Sequence, residues 1–165
     1  PAWGVTYETA RLLKHWRDTR DRERPLFFCQ VEAAETIIWL TDVASKASGG
    51  HLAHFEEVSE AANPDLFRLA MKLATGAGKT TVMAMLIAWQ AINKARRPQS
   101  KIFSDAFLIV APGITIRDRL RVLLPEATNS IYDRLSIVPR DMKDDLNTSR
   151  LVITNFHAFQ PKSKA

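Results

Sequence analysis

One cysteine, Cys29, is all the sequence holds, so an internal disulfide is excluded. Cysteine used this sparingly suits a reducing interior and implies a cytoplasmic protein. Cys29 stands in the apolar string Phe27-Phe28-Cys29, where a buried, inert thiol is expected. Long apolar runs are also missing. Nothing approaches the roughly 20 residues of a spanning helix, no charged-then-apolar leader opens the chain, and no membrane association is expected. No internal repeat or low-complexity tract is visible. His51 and His54 have H-x-x-H spacing, but no further paired Cys or His completes a zinc ligand set. Charge is not one-sided either. The formal charge of +5 leans towards polyanionic partners, yet the basic residues between Arg11 and Arg24 are interleaved with Asp18, Asp21 and Glu23, as on a solvated helix face. With 46% hydrophobic and 25% charged residues, the 165-residue chain has the composition and size of a single globular domain.

Glycine is scarce, six in all, which gives weight to two that fall close together in Leu73-Ala74-Thr75-Gly76-Ala77-Gly78-Lys79-Thr80. Ahead of them, Phe67, Leu69, Met71 and Leu73 alternate with Arg68, Ala70 and Lys72, the pattern of a strand entering a core. Behind them, 80–93 has strong helix formers and no Gly or Pro. Strand, glycine turn and helix together read as a nucleotide triphosphate cradle. Gly76 and Gly78 permit backbone conformations and close approach that a Cβ would block. Backbone N–H groups from Thr75 through Thr81, including Ala77, can then face phosphate oxygens at the positive end of the helix. Lys79 would meet the β/γ-phosphates of ATP, and the Thr80 hydroxyl would join the shell of Mg²⁺. Leu73 occupies the place of the usual first glycine, a departure that separates branches of P-loop proteins.

Elsewhere the patterning predicts a helix over 7–20 capped by Thr6, with Leu12, Leu13 and Trp16 as its stripe. A second helix is predicted over 30–46, stopped by Gly49-Gly50. The segment 51–64 is polar with a short helical pattern, and Asn63-Pro64 marks a turn. After a basic linker over 94–101, the run 106–111 reads as a strand buried on both faces. Thr115, with Asp118 three residues on, suggests a near capping box opening a helix to 124. Arg150 leads into a third strand, 151–154. Alternating strands and helices imply a parallel sheet with flanking helices.

Three further segments refine this. Gln30 sits at a helix start upstream of the cradle, where its amide can read both N6 and N7 of adenine or serve as a helix cap. Pro112, Gly113, Thr115, Arg117 and Arg119 form a turn and helix start suited to a backbone phosphate, or an ordinary surface helix. Thr154 and Asn155 close the last strand with small polar donors, as a contact or as a structural turn. Together with A-T-G-A-G-K-T, these segments resemble the opening motifs of superfamily-two helicases, and most of all those of the restriction (R) subunits of type III restriction systems. Gln30 resembles the Q motif, Gly76 to Thr80 motif I, and Pro112 to Arg119 motif Ia. Thr154-Asn155-Phe156-His157-Ala158-Phe159 is similar to the T-N-Y/F-H-A-F element that this group carries before its DEAH box.

The resemblance implies a RecA-like α/β P-loop ATPase that moves on double-stranded DNA, uses ATP and Mg²⁺, and works with a modification methyltransferase subunit. Residues 1–66 would be a helical extension, and 67–165 the N-terminal part of the first RecA-like domain. No apolar strand here ends in an acidic pair, so the chain reads as stopping ahead of the DEAH-bearing strand and as inactive alone. Two rival readings remain: a P-loop phosphotransferase of a small substrate, and a nucleotide fold kept only as a scaffold.

Overall fold

The computed structural model describes residues 4–20, 22–44 and 51–159, with His51 described by its backbone alone. The fold is α/β, and the chain forms two compact units, Pro1–Val82 and Met83–Ala165.

The first unit is helical. Helix α1 (Tyr7–Arg17) starts as expected at Thr6, whose Oγ1 accepts from the Thr9 N–H at 3.1 Å. It ends at Arg17 and not at 20. Arg22 folds back there, donating to the carbonyls of His15 (2.9 Å) and Asp18 (3.1 Å), and so satisfies groups that another helical turn would have used. Leu12, Leu13 and Trp16 are buried on one stripe. Helix α2 (Phe28–Ile38) buries Gln30, Ala34 and Ile38, spaced one turn apart, and passes into a π-helical turn, Trp39–Val43. The Thr41 hydroxyl donates to the Ile37 carbonyl at 2.7 Å within this stretch, competing for the backbone acceptor. The expected continuation to 46 and the Gly49-Gly50 stop lie outside the described residues. Helix α3 (His51–Ala62) takes up the polar segment.

The residues leading into the glycine turn do not form the expected strand. They run without regular structure, Phe67 and Met71 are exposed, and no described strand pairs with them. Alternation makes a segment competent for a sheet, but a ladder needs a neighbour.

Helix α4 (Lys79–Arg96) continues into the second unit and is apolar almost all round: Ala84, Met85, Ile87, Ala88, Trp89, Ala91 and Ile92 are all buried. Trp89 meets Phe103 edge-on, ring centroids 5.7 Å apart. Strands β1 (Ala106–Ala111) and β2 (Arg150–Asn155) form a two-stranded parallel sheet, in register from Ala106↔Arg150 to Ala111↔Asn155. Only alternate residues of β1 are covered, and Leu108 and Val110 stand exposed, so the expectation of burial on both faces is not met. A continuous apolar run cannot show which of its faces has a neighbour.

The crossover between the strands holds α5 (Ile114–Leu120), α6 (Ile131–Arg134) and α7 (Lys143–Asn147). Gly113, not Thr115, is the N-cap of α5. Thr115 lies inside the helix, and Asp118 is engaged by Arg117 instead of closing a capping box. Arg96 fastens the end of α4 to α7 through Asp145, at 2.7 Å.

Candidate functional site

The glycine turn has the backbone that its composition calls for. Gly76 and Gly78 adopt φ of +82° and +78°, a region that residues with a Cβ seldom enter. Nothing lies within 4 Å of where a Cβ on Gly76 would stand, so that side of the loop is open. Gly78 is different: a Cβ there would fall 2.1 Å from the Gln30 amide nitrogen. The Ala77 N–H donates to the Ala74 carbonyl at 3.3 Å and the Thr81 N–H to the Gly78 carbonyl at 2.8 Å, which closes the turn into α4. The N–H groups of Gly76, Gly78, Lys79 and Thr80 take no backbone partner among the described residues. They cluster at the N-terminal end of an 18-residue helix, where anions are favoured. Lys79 is exposed and donates to the Ala74 carbonyl at 2.9 Å, so its ammonium rests across its own loop. Lys79 is therefore already held against the loop that it would close over a phosphate.

Gln30 is 5% exposed, and its amide is committed at both ends. Its Oε1 accepts from the Phe27 N–H at 3.0 Å, the back-reaching half of a capping box. Its Nε2 donates to the Ala77 carbonyl at 2.9 Å. One donor and one acceptor site of the amide remain over. Cys29, expected buried, is exposed, with Sγ 4.0 Å from the same carbonyl. The buried face of α2 runs through residues 30, 34 and 38, which turns Cys29 and Phe28 outward. Beside them lies an apolar groove of about 520 Å³, lined by Phe28, Cys29 and Glu32 of α2 and by Met71, Leu73 and Ala77 of the loop segment. This groove is not legible in the sequence. Its signal was the pair Phe27-Phe28 next to a polar helix start, which reads equally well as core.

In the second unit the register sets Val110 opposite Thr154 and Ala111 opposite Asn155, and α5 packs against both strands. Pro112, Gly113, Thr115, Arg117 and Arg119 therefore share the C-terminal edge of the sheet with Thr154 and Asn155. Ligands of parallel sheets bind at that edge. Arg117 is paired with its neighbour Asp118 at 2.8 Å, while Arg119 is exposed. Among the described residues, no three His, Cys, Asp or Glu side chains come together as a metal site.

A scan against family models matches residues 23–165 to the type III restriction enzyme, res subunit, family. The chain belongs to this family. No curated protein and no solved structure matches it. Membership of the res-subunit family makes this a P-loop NTPase domain of a group with ATP-dependent, helicase-like function in restriction enzymes. That family uses ATP and Mg²⁺. The cradle suits both: open space at Gly76, N–H groups without backbone partners, a lysine at the loop and the Thr80 hydroxyl at the first turn of α4. The res-subunit family also works with DNA and with a methyltransferase subunit. No helix among the described residues is long and apolar enough to cross a membrane.

Proposed function

We propose that this chain is the ATP-binding N-terminal part of a DNA-dependent translocase, the R subunit of a type III restriction enzyme. In this reading residues 1–66 are a helical extension and 67–165 begin the first RecA-like domain. The observation that carries it is the left-handed Gly76–Gly78 loop, which offers N–H groups at the start of α4 beside the Lys79 ammonium.

The triphosphate would sit in the 75–81 loop on the N–H groups of Gly76, Gly78, Lys79 and Thr80, with Lys79 leaving the Ala74 carbonyl for the β/γ-phosphates. The Thr80 hydroxyl would hold Mg²⁺, which when bound neutralises charge on the phosphate oxygens. Gln30 would read the adenine edge with its remaining donor and acceptor while Ala77 and Phe27 keep its amide in place. The base would lie towards the groove at Phe28. The C-terminal sheet edge, with Pro112, Gly113, Thr115, Arg117, Arg119, Thr154 and Asn155, would track duplex DNA, chiefly by its phosphates. A methyltransferase subunit would supply the DNA recognition sequence, in the cytoplasm.

Lys79→Ala tests the reading. A charge-assisted contact of this kind is worth about 1.5–3 kcal/mol, so ATP affinity should fall roughly tenfold or more while the fold persists. Titration with a fluorescent ATP analogue, alongside circular dichroism, reads both. Equal affinity in a folded variant would reject the cradle.

A further inference from the structure

Helix α3 is almost uncovered. Of its described side chains only Ser59 is buried, while Phe55 and Val58 stand 44% and 55% exposed. A 12-residue helix is marginal in water without packing, and apolar groups left on such a surface mark a place where a neighbour docks. Ser59 ties the returning chain to the helix. Its hydroxyl accepts from the Arg68 N–H at 2.8 Å and donates to the Leu66 carbonyl at 3.3 Å. The Glu60 carboxylate accepts from the Asp65 N–H at 3.3 Å across the turn. Beside this junction lies an open groove of about 500 Å³, lined by Glu56, Glu57, Glu60 and Phe67. Phe67, 46% exposed, supplies its apolar part.

The charge around the groove is of one sign. No Lys or Arg occurs from Ala47 to Phe67, in a chain of net charge +5. Among the described residues none of Glu56, Glu57 and Glu60 is paired with a cation, the neighbouring Arg68 included. A metal ion does not fit, since no three carboxylates among the described residues come together as a metal site. Nucleic acid would be repelled, and an apolar ligand would strip water from the carboxylates with nothing in return. A second copy brings a net charge of the same sign. An arginine side chain answers both parts of the groove, because its flat face lies on a ring while its edge donates to carboxylates.

We propose that the groove docks a basic, amphipathic segment of a partner protein, with an arginine laid on Phe67 and its N–H edge on Glu56, Glu57 and Glu60. Apolar residues of the same segment cover the flank of α3 that carries Phe55 and Val58, which are three residues apart and share one face.

The test uses the whole chain and fluorescence anisotropy with a labelled peptide of repeated Arg-Ala-Leu, beside Lys-Ala-Leu and Glu-Ala-Leu peptides of equal length. The arginine peptide should bind saturably, the lysine peptide more weakly and the glutamate peptide not at all. An exposed ion pair accounts for up to about a fivefold difference in affinity, and a ring under a cation for about two- to fivefold. Glu56→Gln/Glu57→Gln should therefore weaken the arginine peptide by on the order of tenfold, with circular dichroism unchanged. Phe67→Leu should weaken it about two- to fivefold, and Phe67→Tyr should not, since tyrosine keeps the ring face. Failure of the wild type to bind the arginine peptide, equal binding of the glutamate peptide, or no loss in the glutamine variant would overturn the docking groove. Spermine competing as well as the arginine peptide would overturn it too, leaving a site for charge alone. Sedimentation that shows a dimer dispersed by Glu56→Gln/Glu57→Gln would put a second copy in the groove in place of a partner.

Discussion

Gln30 and Gly78 fit together because one of them has no side chain. The Gln30 amide fills the space where a Cβ on Gly78 would be, and from there it holds the Ala77 carbonyl of the same loop. Gly78→Ala therefore meets two separate penalties. A left-handed backbone costs an L-residue about 1–2 kcal/mol, and the new methyl collides with a buried amide. Removing the amide as well should relieve the second penalty only. We expect Gly78→Ala to lose ATP affinity severely and Gly78→Ala/Gln30→Ala to regain part of it, a non-additive pair in a double-mutant cycle. Strict additivity would mean that the two residues do not contact each other. The glycines were legible in the sequence because the motif names their positions. The double engagement of Gln30 was not, since one amide at a helix start is compatible with a base contact or a cap, and only the packed loop shows the cap and the Ala77 bond together. Cys29 misled for a related reason: an apolar string at a helix N-terminus is split between faces by the helical turn, so its members do not share one environment.

At the scale of elements, starts were easier to read than partners. Thr6, the apolar stripe of α1, the body of α4 and both strands of the sheet follow from local patterns that short-range physics enforces, although α4 runs on to Arg96, into the segment expected as a linker. The end of α1 depends instead on Arg22, five residues beyond it, whose guanidinium satisfies two carbonyls while half buried, with desolvation drawing its pKa down. The start of α5 went to Gly113, since the extended backbone of that residue leaves Thr115 already in the helix. Residues 67–73 carry strand alternation and form none, because pairing is a property of two segments. The Thr6 cap can be weighed directly. Thr6→Ala deletes the acceptor for the Thr9 N–H and should lower the stability of the folded chain by about 1 kcal/mol in urea unfolding, whereas Thr6→Ser should cost little. No loss in the alanine variant would place the start of α1 under the control of packing alone.

For the molecule as a whole, the proposed site holds residues that could bind a nucleotide, and the described strands offer it no carboxylate with which to turn one over. Transfer of a phosphoryl group to water needs a positioned Mg²⁺, an oriented nucleophile and cations on the γ-phosphoryl oxygens. Lys79 and Thr80 supply part of that set. The two strands end in Ala111-Pro112 and Thr154-Asn155, so neither presents a carboxylate that could order the metal's water shell or aim an attacking water. In the proposed function Arg119 contacts DNA phosphate and not the nucleotide. Absence of an arginine finger by itself lowers phosphoryl transfer about 10³–10⁵-fold. This chain should therefore bind ATP and hydrolyse it no faster than a small fraction of a turnover per minute, with duplex DNA making no difference. A steady-state phosphate-release assay on the purified chain, run beside Lys79→Ala, separates the outcomes. Turnover near 1 s⁻¹ that is lost in Lys79→Ala would mean that a complete site is built from these residues, and the division between binding here and chemistry elsewhere would be wrong.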